Sequence, residues 1–503
     1  MDSLKDQHVL ILGLGASGLA MARWCARCGA QVAVADTRTA PPQLQALQRE
    51  LPNVRFIEGA FAASLLSGAA LRVVCKSPGL PPAQVAPVVQ AAASLGLWVT
   101  GELGLFTRAL ADLKAARGYC PKVLAVTGTN GKTTVTSLTG ELVRRAGKTV
   151  AIAGNIGPTL LDTLSAHLDA NTLPEVWVLE LSSFQLDAEN TFEPSAGAVL
   201  NLTQDHLDWH GSMAAYSAAK AAVFGQHGLL VLNRDDAAVM ALLPAPVRVK
   251  LQRPQFRNHV TFGSDVPQRA GDFGLEQVNG MVWLVRALDA DETPRKAPAP
   301  ELHLQRLMPA AALHIRGQHN LLNALAALAL AGATDAALGP MLYGLRDYRG
   351  EPHRVESIGT LNGVEFFDDS KGTNVGATVA ALNALGAERK VVVILGGEGK
   401  GQDFAPLARP VERYARAVLL IGRDAPLLRA ALAGTGIVLL DAASMAQAVA
   451  LAHAQAQAGD AVLMSPACAS FDMFDNYEHR ALVFRQAVHD SAAAVGLELE
   501  RVR

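Results

Sequence analysis

The stretch Thr127-Gly128-Thr129-Asn130-Gly131-Lys132-Thr133-Thr134 gathers glycines, hydroxyls and one lysine between an apolar run and a helical pattern. That is where a phosphate cradle forms. Backbone N–H groups at a helix N-terminus face anionic oxygens, the lysine supplies a point charge, and a threonine hydroxyl can ligate Mg²⁺. A full P-loop would carry glycine where Val126 stands. The loop is therefore a compact variant rather than an ordinary NTPase loop.

Other chemistry-bearing residues follow along the chain. Glu180 ends the run VWVLE, and Asp205-His206 follow AVLNLTQ. Acids at the carboxyl ends of strands lie where open α/β sheets bind ligands, and Mg²⁺ prefers such oxygens. Glu180 reads equally as a surface acid, and a lone histidine is more often structural. Lys220, in the apolar helical stretch AAYSAAKAAVF, reads first as a lysine snorkelling to the surface. Further on, His353-Arg354 precede FFDDSKGTN, which carries Asp368, Asp369, Ser370, Lys371, Thr373 and Asn374. Lys400 follows a glycine run, and SPACASFDMFDNYEHR holds Ser465, Ser470 and Tyr477. Cations and hydroxyls in this number can grip phosphate and a small carboxylate substrate. Each cluster alone is weak evidence; their joint occurrence points to a site.

The chain also opens on VLILGLGASGLA, where Gly13-x-Gly15-x-x-Gly18 follows a strand-like run and Asp36 ends the next. This is the spacing of a dinucleotide-binding βαβ unit, and it raises NAD as a ligand.

The elements that must position these residues divide into three blocks. At 503 residues the chain exceeds one core, at roughly 150 residues per domain. The blocks are expected at 1–99, 100–350 and 351–503, each alternating strand-like runs with helical patterns as parallel α/β sheets do. Half the residues are hydrophobic, 18% are charged and the net charge is -2, so no long-range field favours nucleic acid or an anionic membrane. The start, MDSLKDQ, reads as neither signal peptide nor anchor. Cys25 and Cys28 form a CxxC with no second pair to complete a zinc site, so they read as buried thiols in a reducing compartment, the cytoplasm. DADETPRKAPAP, from Asp289 to Pro300, reads as an exposed loop.

Taken together, GTNGKTT, ELSSFQL, NLTQDHLD, GQHNLLNALAA, EPHR, DDSKGTN and SPACASFDMF, in this order over nearly the whole chain, resemble the Mur ligases of peptidoglycan synthesis. DDSKGTN and SPACAS point to the branch that adds D-glutamate. The resemblance implies an N-terminal Rossmann-like UDP-binding domain, a central P-loop ATPase-like domain, and a C-terminal Rossmann-like domain that binds the amino acid and closes on ATP. It also implies an ATP-dependent, amide-forming ligase acting on UDP-N-acetylmuramoyl-L-alanine through an acyl phosphate, as a cytoplasmic monomer. Gly128 to Thr134 would hold ATP, with Asn323, Arg354 and Asp369. Thr133 and Glu180 would share one Mg²⁺; His206 and Lys220, the latter as a carbamate, would serve a second. Lys371, Thr373, Lys400, Ser470 and Tyr477 resemble the glutamate-binding set, with Tyr477 standing where phenylalanine is expected. Ser17, Asp36, Thr37, Arg38, Ser77 and Asn155 match the positions that hold the UDP-sugar. The catalytic set so implied is Lys132, Glu180, His206, Lys220 and Lys371. The first glycine loop then grips a uridine diphosphate, and NAD is not expected. A folylpolyglutamate synthase would share the ATP loop but not begin with the extra βαβ unit. An NAD-dependent dehydrogenase would leave GTNGKTT idle, and an ATP-driven switch would leave the late cation clusters idle.

Overall fold

The computed structural model describes residues 2–67, 70–187, 189–247, 255–290 and 302–500. They divide into two compact units, the first comprising Met1–Leu202, His206–Met308 and Ala324–Leu345, the second Thr203–Asp205, Pro309–Asn323 and Arg346–Arg503.

The first unit holds two sheets. One is built from β1 (His8–Leu12), β2 (Gln31–Asp36), β3 (Arg55–Glu58), β4 (Leu71–Lys76) and β5 (Trp98–Thr100), all parallel in the order β3-β2-β1-β4-β5. The other contains β6 (Lys122–Thr127), β7 (Val150–Gly154), β8 (Val176–Glu180), β9 (Ala196–Val199), β10 (Leu229–Asn233), β11 (His259–Phe262), β12 (Phe273–Val278), β13 (Met281–Asp289) and β14 (Leu302–Pro309). Its order is β14-β13-β12-β11-β10-β9-β6-β8-β7. The central strands are largely apolar and buried, β8 along its whole length including its terminal Glu180, as parallel strands covered on both faces must be. Both nucleotide-type loops leave the carboxyl ends of central strands, β1 and β6, and run straight into helices α1 (Ala16–Arg27) and, downstream, the helix at Lys132–Arg145.

Helix α2 (Glu102–Arg117) joins the two sheets; α3 (Lys132–Arg145), α4 (Leu160–Asp169) and α5 (Met213–Ala221) belong to the second. One apolar core runs through both, from Met21 and Trp24 of α1, through Leu105 and Phe106 of α2, to Leu161 and Leu164 of α4 and Trp177 of β8. Cys25 of α1 and Cys28 at its C-cap are buried thiols. Asp289 ends β13, and 291–300 of the expected loop lie outside the described residues.

The second unit carries β15 (Glu356–Leu361), β16 (Val364–Asp368), β17 (Val391–Gly396), β18 (Ala415–Ile421), β19 (Val438–Asp441) and β20 (Ala461–Met464), ordered β15-β16-β20-β17-β18-β19. Its flanking helices include α6 (Val375–Gly386) and α7 (Tyr477–Ala494), each N-capped by an asparagine side chain, Asn374 and Asn476. Among the described residues no helix is long and apolar enough to cross a membrane.

Candidate active site

The phosphate loop leaves β6 and enters α3 through Gly131, whose φ of 83° is left-handed and suits glycine. Asn201, just past β9, holds the loop by its backbone. Its carbonyl accepts from the Thr129 N–H at 3.0 Å, its side-chain oxygen from the Asn130 N–H at 2.8 Å, and its amide donates to the Asn130 carbonyl at 3.1 Å. The Thr129 hydroxyl and the Tyr216 hydroxyl of α5 pair at 3.1 Å. Lys132 folds back over the loop, its ammonium donating to the carbonyls of Gly128 at 2.9 Å and Thr129 at 2.7 Å. Thr133 and Thr134, in the first turn of α3, are buried.

Lys220 overturns its first reading. It is not snorkelling: it is 2% exposed, with its ammonium under the phosphate loop. It donates to the Gly128 carbonyl at 2.8 Å and the Thr127 hydroxyl at 3.2 Å, and stands 4.8 Å from the centre of the Tyr216 ring. Two ammonium groups thus meet at one carbonyl oxygen. Glu180 is likewise no surface acid. It is 2% exposed at the end of β8, the strand next to β6. One of its carboxylate oxygens accepts from the Asn155 amide at 2.8 Å, while the other is buried with no hydrogen-bond partner among the described residues. A buried acid with an open oxygen beside a phosphate cradle fits a hard divalent cation. His206 starts a short helix with φ of 52°, and its ring meets Phe184 at 4.7 Å between centroids.

The first glycine loop is closed from within. A Cβ on Gly18 would run into the Gly13 carbonyl oxygen, so the helix start can sit against the loop only with glycine there. Ser77 donates to that same carbonyl at 3.0 Å. Asp36, placed where a ribose-binding acid stands in dinucleotide folds, accepts from the Leu14 N–H at 2.7 Å. It also takes the Arg38 guanidinium through two bonds of 2.9 and 2.8 Å. Burial pushes this carboxyl up, but the bonds from Arg38 and the Leu14 amide outweigh it and hold it at about 2. Ser17 lies in the first turn of α1, and Thr37 accepts from Gln84 at 3.3 Å. Asn155 is bonded instead to Glu180, at the carboxyl edge of the second sheet.

In the second unit, Asp369 accepts from the Ser465 hydroxyl at 2.6 Å and the Val355 N–H at 3.3 Å. Burial pushes its carboxyl up to about 7, against the pull of Ser465 and Arg354. The Lys371 ammonium stands 5.4 Å from the centre of the Tyr477 ring, and the Lys400 ammonium 5.6 Å from that of Phe471. Ser470 is buried, and the backbone pairing of Ala469 with Glu398 brings it alongside the loop that leads to Lys400. The Thr373 carbonyl accepts from Gln402 at 3.5 Å, and the Asn323 amide donates to Asn320 at 3.1 Å.

Three positioning residues had no flag in the sequence reading. Arg480, fully buried, donates to the Ser370 hydroxyl at 3.0 Å, the Ser370 carbonyl at 2.8 Å and the Cys468 carbonyl at 3.1 Å. It ties the DDSK loop to the SPAC loop. Asn201 and Tyr216 brace the phosphate loop. In the sequence Arg480 is one charge among several at the start of α7, and nothing marks it; Asn201 and Tyr216 carry no signal either.

Residues 7–101, 126–331 and 353–468 match, in order, the family models described as the MurD-like N-terminal domain of Mur ligases, the Mur ligase middle domain and the Mur ligase glutamate ligase domain. A protein of Albidiferax ferrireducens named UDP-N-acetylmuramoylalanine–D-glutamate ligase is 76% identical, over 99% of both chains. One of the same name from Burkholderia thailandensis is 56% identical over 98% of both. Among solved structures, the UDP-N-acetylmuramate–alanine ligase of Thermotoga maritima shares the fold with a TM-score of 0.55 at 18% identity, covering 96% of this chain and 99% of that one. MurF of Acinetobacter baumannii gives 0.55 at 17%, covering 95% and 93%.

Proposed function

Because this chain belongs to the Mur ligase family, we propose that it joins D-glutamate to UDP-N-acetylmuramoyl-L-alanine with cleavage of ATP, the activity its full-length relatives are named for. The observation that carries this reading is the pairing of a phosphate cradle on β6 with Glu180 on adjacent β8, an acid with one unpartnered buried oxygen. The terminal carboxylate of the acceptor attacks the γ-phosphorus of ATP, ADP leaves, and an acyl phosphate forms. The amine of D-glutamate then attacks the acyl carbon, and phosphate leaves as the amine loses a proton.

Both steps bring anions together, so positive charge and positioning do most of the work. The amides of Gly128 to Thr134 cradle the phosphates, and Lys132 turns from its loop carbonyls to the charge on the transferring group. Thr133 and Glu180 are the proposed ligands of one Mg²⁺, and His206 with Lys220 those of a second. Bound Mg²⁺ neutralises charge on the phosphate oxygens. Two ammonium groups on one carbonyl oxygen repel each other. Conversion of Lys220 to a carbamate would invert its charge and relieve that repulsion. Lys371, Thr373, Lys400, Ser470 and Tyr477 are proposed to hold D-glutamate, and Asn323, Arg354 and Asp369 the nucleotide. Ser17, Asp36, Thr37, Arg38, Ser77 and Asn155 are proposed to hold the UDP-sugar. Asp36 acts there by fixing Leu14 and Arg38 rather than by meeting a ribose. The enzyme is proposed to work as a cytoplasmic monomer on small molecules. Phosphate release from ATP, measured over a panel of amino acids with UDP-N-acetylmuramoyl-L-alanine as acceptor, tests the reading. Release should require D-glutamate; release driven by another amino acid, or none at all, overturns it.

A further inference from the structure

Phe471 follows the buried Ser470 and is itself 65% exposed. An exposed apolar side chain is common and says nothing alone; what this one faces does. The Lys400 ammonium stands 5.6 Å from the centre of its ring. Backbone on both sides fixes the pair. The Glu398 N–H donates to the Ala469 carbonyl at 3.0 Å, and the Ala469 N–H to that of Glu398 at 2.9 Å. Phe471 lies in a turn closed by the N–H groups of Met473 and Phe474, which donate to the Ser470 carbonyl at 3.2 and 2.8 Å. Lys400 has φ of 52°, a left-handed conformation uncommon outside glycine. The Gly399 N–H just before it donates to the Asp424 carboxylate at 2.6 Å.

Four acids flank this pair, and each is engaged elsewhere. Glu398 pairs with Arg423 at 3.0 Å. Asp424 is taken by the Gly399 amide and by Arg423 at 3.6 Å. Asp472 accepts from the Arg423 N–H at 2.8 Å, and Asp403 from the Ala405 N–H at 2.9 Å. Among the described residues no acid pairs with Lys400, and the ring of Phe471 is what its ammonium faces. The difference matters for an anionic ligand. A carboxylate partner would hold the ammonium but also neutralise it. A ring face attracts the ammonium through its quadrupole and leaves the full charge on it. It also narrows the rotamers of a long side chain, freedom that would otherwise be lost when the ligand arrives.

We propose that Phe471 is a positioning residue for D-glutamate: its ring holds the Lys400 ammonium, with its charge uncompensated, ready for a carboxylate of the amino acid. A second pair repeats the device, since the Lys371 ammonium stands 5.4 Å from the centre of the Tyr477 ring. Two rings on the single connection between the SPAC loop and α7 each face one ammonium, and D-glutamate brings two carboxylates. This rests on the reading that these loops hold D-glutamate.

Phosphate release by the full-length protein at saturating ATP and UDP-N-acetylmuramoyl-L-alanine, with D-glutamate varied, tests this. Phe471→Leu keeps apolar bulk and removes the ring face. Its KM for D-glutamate should rise about three- to fivefold, the scale of one exposed cation–π contact, with kcat and the KM for ATP unchanged. Phe471→Tyr keeps the face and should match the wild type. A ring-trifluorinated phenylalanine in place of Phe471 keeps the shape but cancels the charge on the face, and should behave as Phe471→Leu does. In a Lys400→Met background, where no ammonium is left to hold, Phe471→Leu should change kcat/KM no further. A wild-type KM in Phe471→Leu or in the fluorinated variant overturns the proposal and leaves the glutamate site standing. So does a Phe471→Tyr as poor as Phe471→Leu, or a Phe471→Leu effect that persists in full without Lys400. Wild-type release that does not depend on D-glutamate overturns the ligase reading itself, and this proposal with it.

Discussion

Lys132→Ala removes an ammonium that rests on the Gly128 and Thr129 carbonyls and is proposed to turn to the transferring phosphoryl group. Turnover should fall by about 10²–10³-fold, in the range found for losing one charge-stabilising donor, while UDP-sugar binding by calorimetry stays unchanged. Lys220 permits a sharper test. Lys220→Arg keeps a cation but cannot form a carbamate, and it must fit a larger head into a buried site. It should be nearly as inactive as Lys220→Ala in the phosphate-release assay, and near-normal turnover would reject the carbamate. Asp369 carries a pH signature. Its folded carboxyl, raised by burial to about 7, binds a proton more tightly than the unfolded chain does. Its contribution to stability is therefore full at acid pH and is lost as pH rises through about 7. Asp369→Asn should flatten that part of the urea-midpoint profile between about pH 5 and 8. How far such residues were legible depended on what their roles require. Lys132 stands out because a strand-end glycine loop with its chemistry has few other uses, whereas Glu180 reads equally as a surface acid until its burial is seen. Lys220 misled, because an apolar helix with one lysine looks the same whether that lysine faces water or lies beneath a loop.

At the level of elements, the parallel strands were legible because both their faces are buried and their sequences are mostly apolar. VVVILG of β17 and VWVLE of β8 are buried at every position. The second unit nevertheless holds a strand the sequence reading passed over, β15, because ESIGTL is short, mixed and carries a glycine. Its signal lay in the turn. Asn362-Gly363, with φ of 52° and 76°, joins β15 to β16 in a two-residue hairpin, and Asn279-Gly280, at 50° and 78°, does the same for β12 and β13. Glycine has another use in β9, where a Cβ on Gly197 would collide with the Val223 carbonyl oxygen. Backbone on both sides leaves nothing flexible to give way. Gly197→Ala should cost about 1–3 kcal/mol, read as a lower urea midpoint with an unchanged slope.

On the scale of the whole molecule, each compact unit has apolar clusters of its own. Heating should give more than one calorimetric transition, as in other multidomain chains. UDP-N-acetylmuramoyl-L-alanine at about 100 times its Kd should stabilise the first unit by about 2.7 kcal/mol and raise its transition, leaving the other in place. A shift of both together would show that the units unfold as one. Within the first unit, one apolar cluster spans both sheets. Met21 and Trp24 of α1 lie in one cluster with Phe106 of α2, Leu161 of α4 and Trp177 of β8. The opening glycine-loop segment is therefore not a portable cassette, however much its strand order invites that view. A fragment ending near residue 101 would carry its binding loop intact but expose the inner side of α1, and it should aggregate rather than bind. By the same logic, in this chain that segment and the second sheet have to be exchanged and redesigned together.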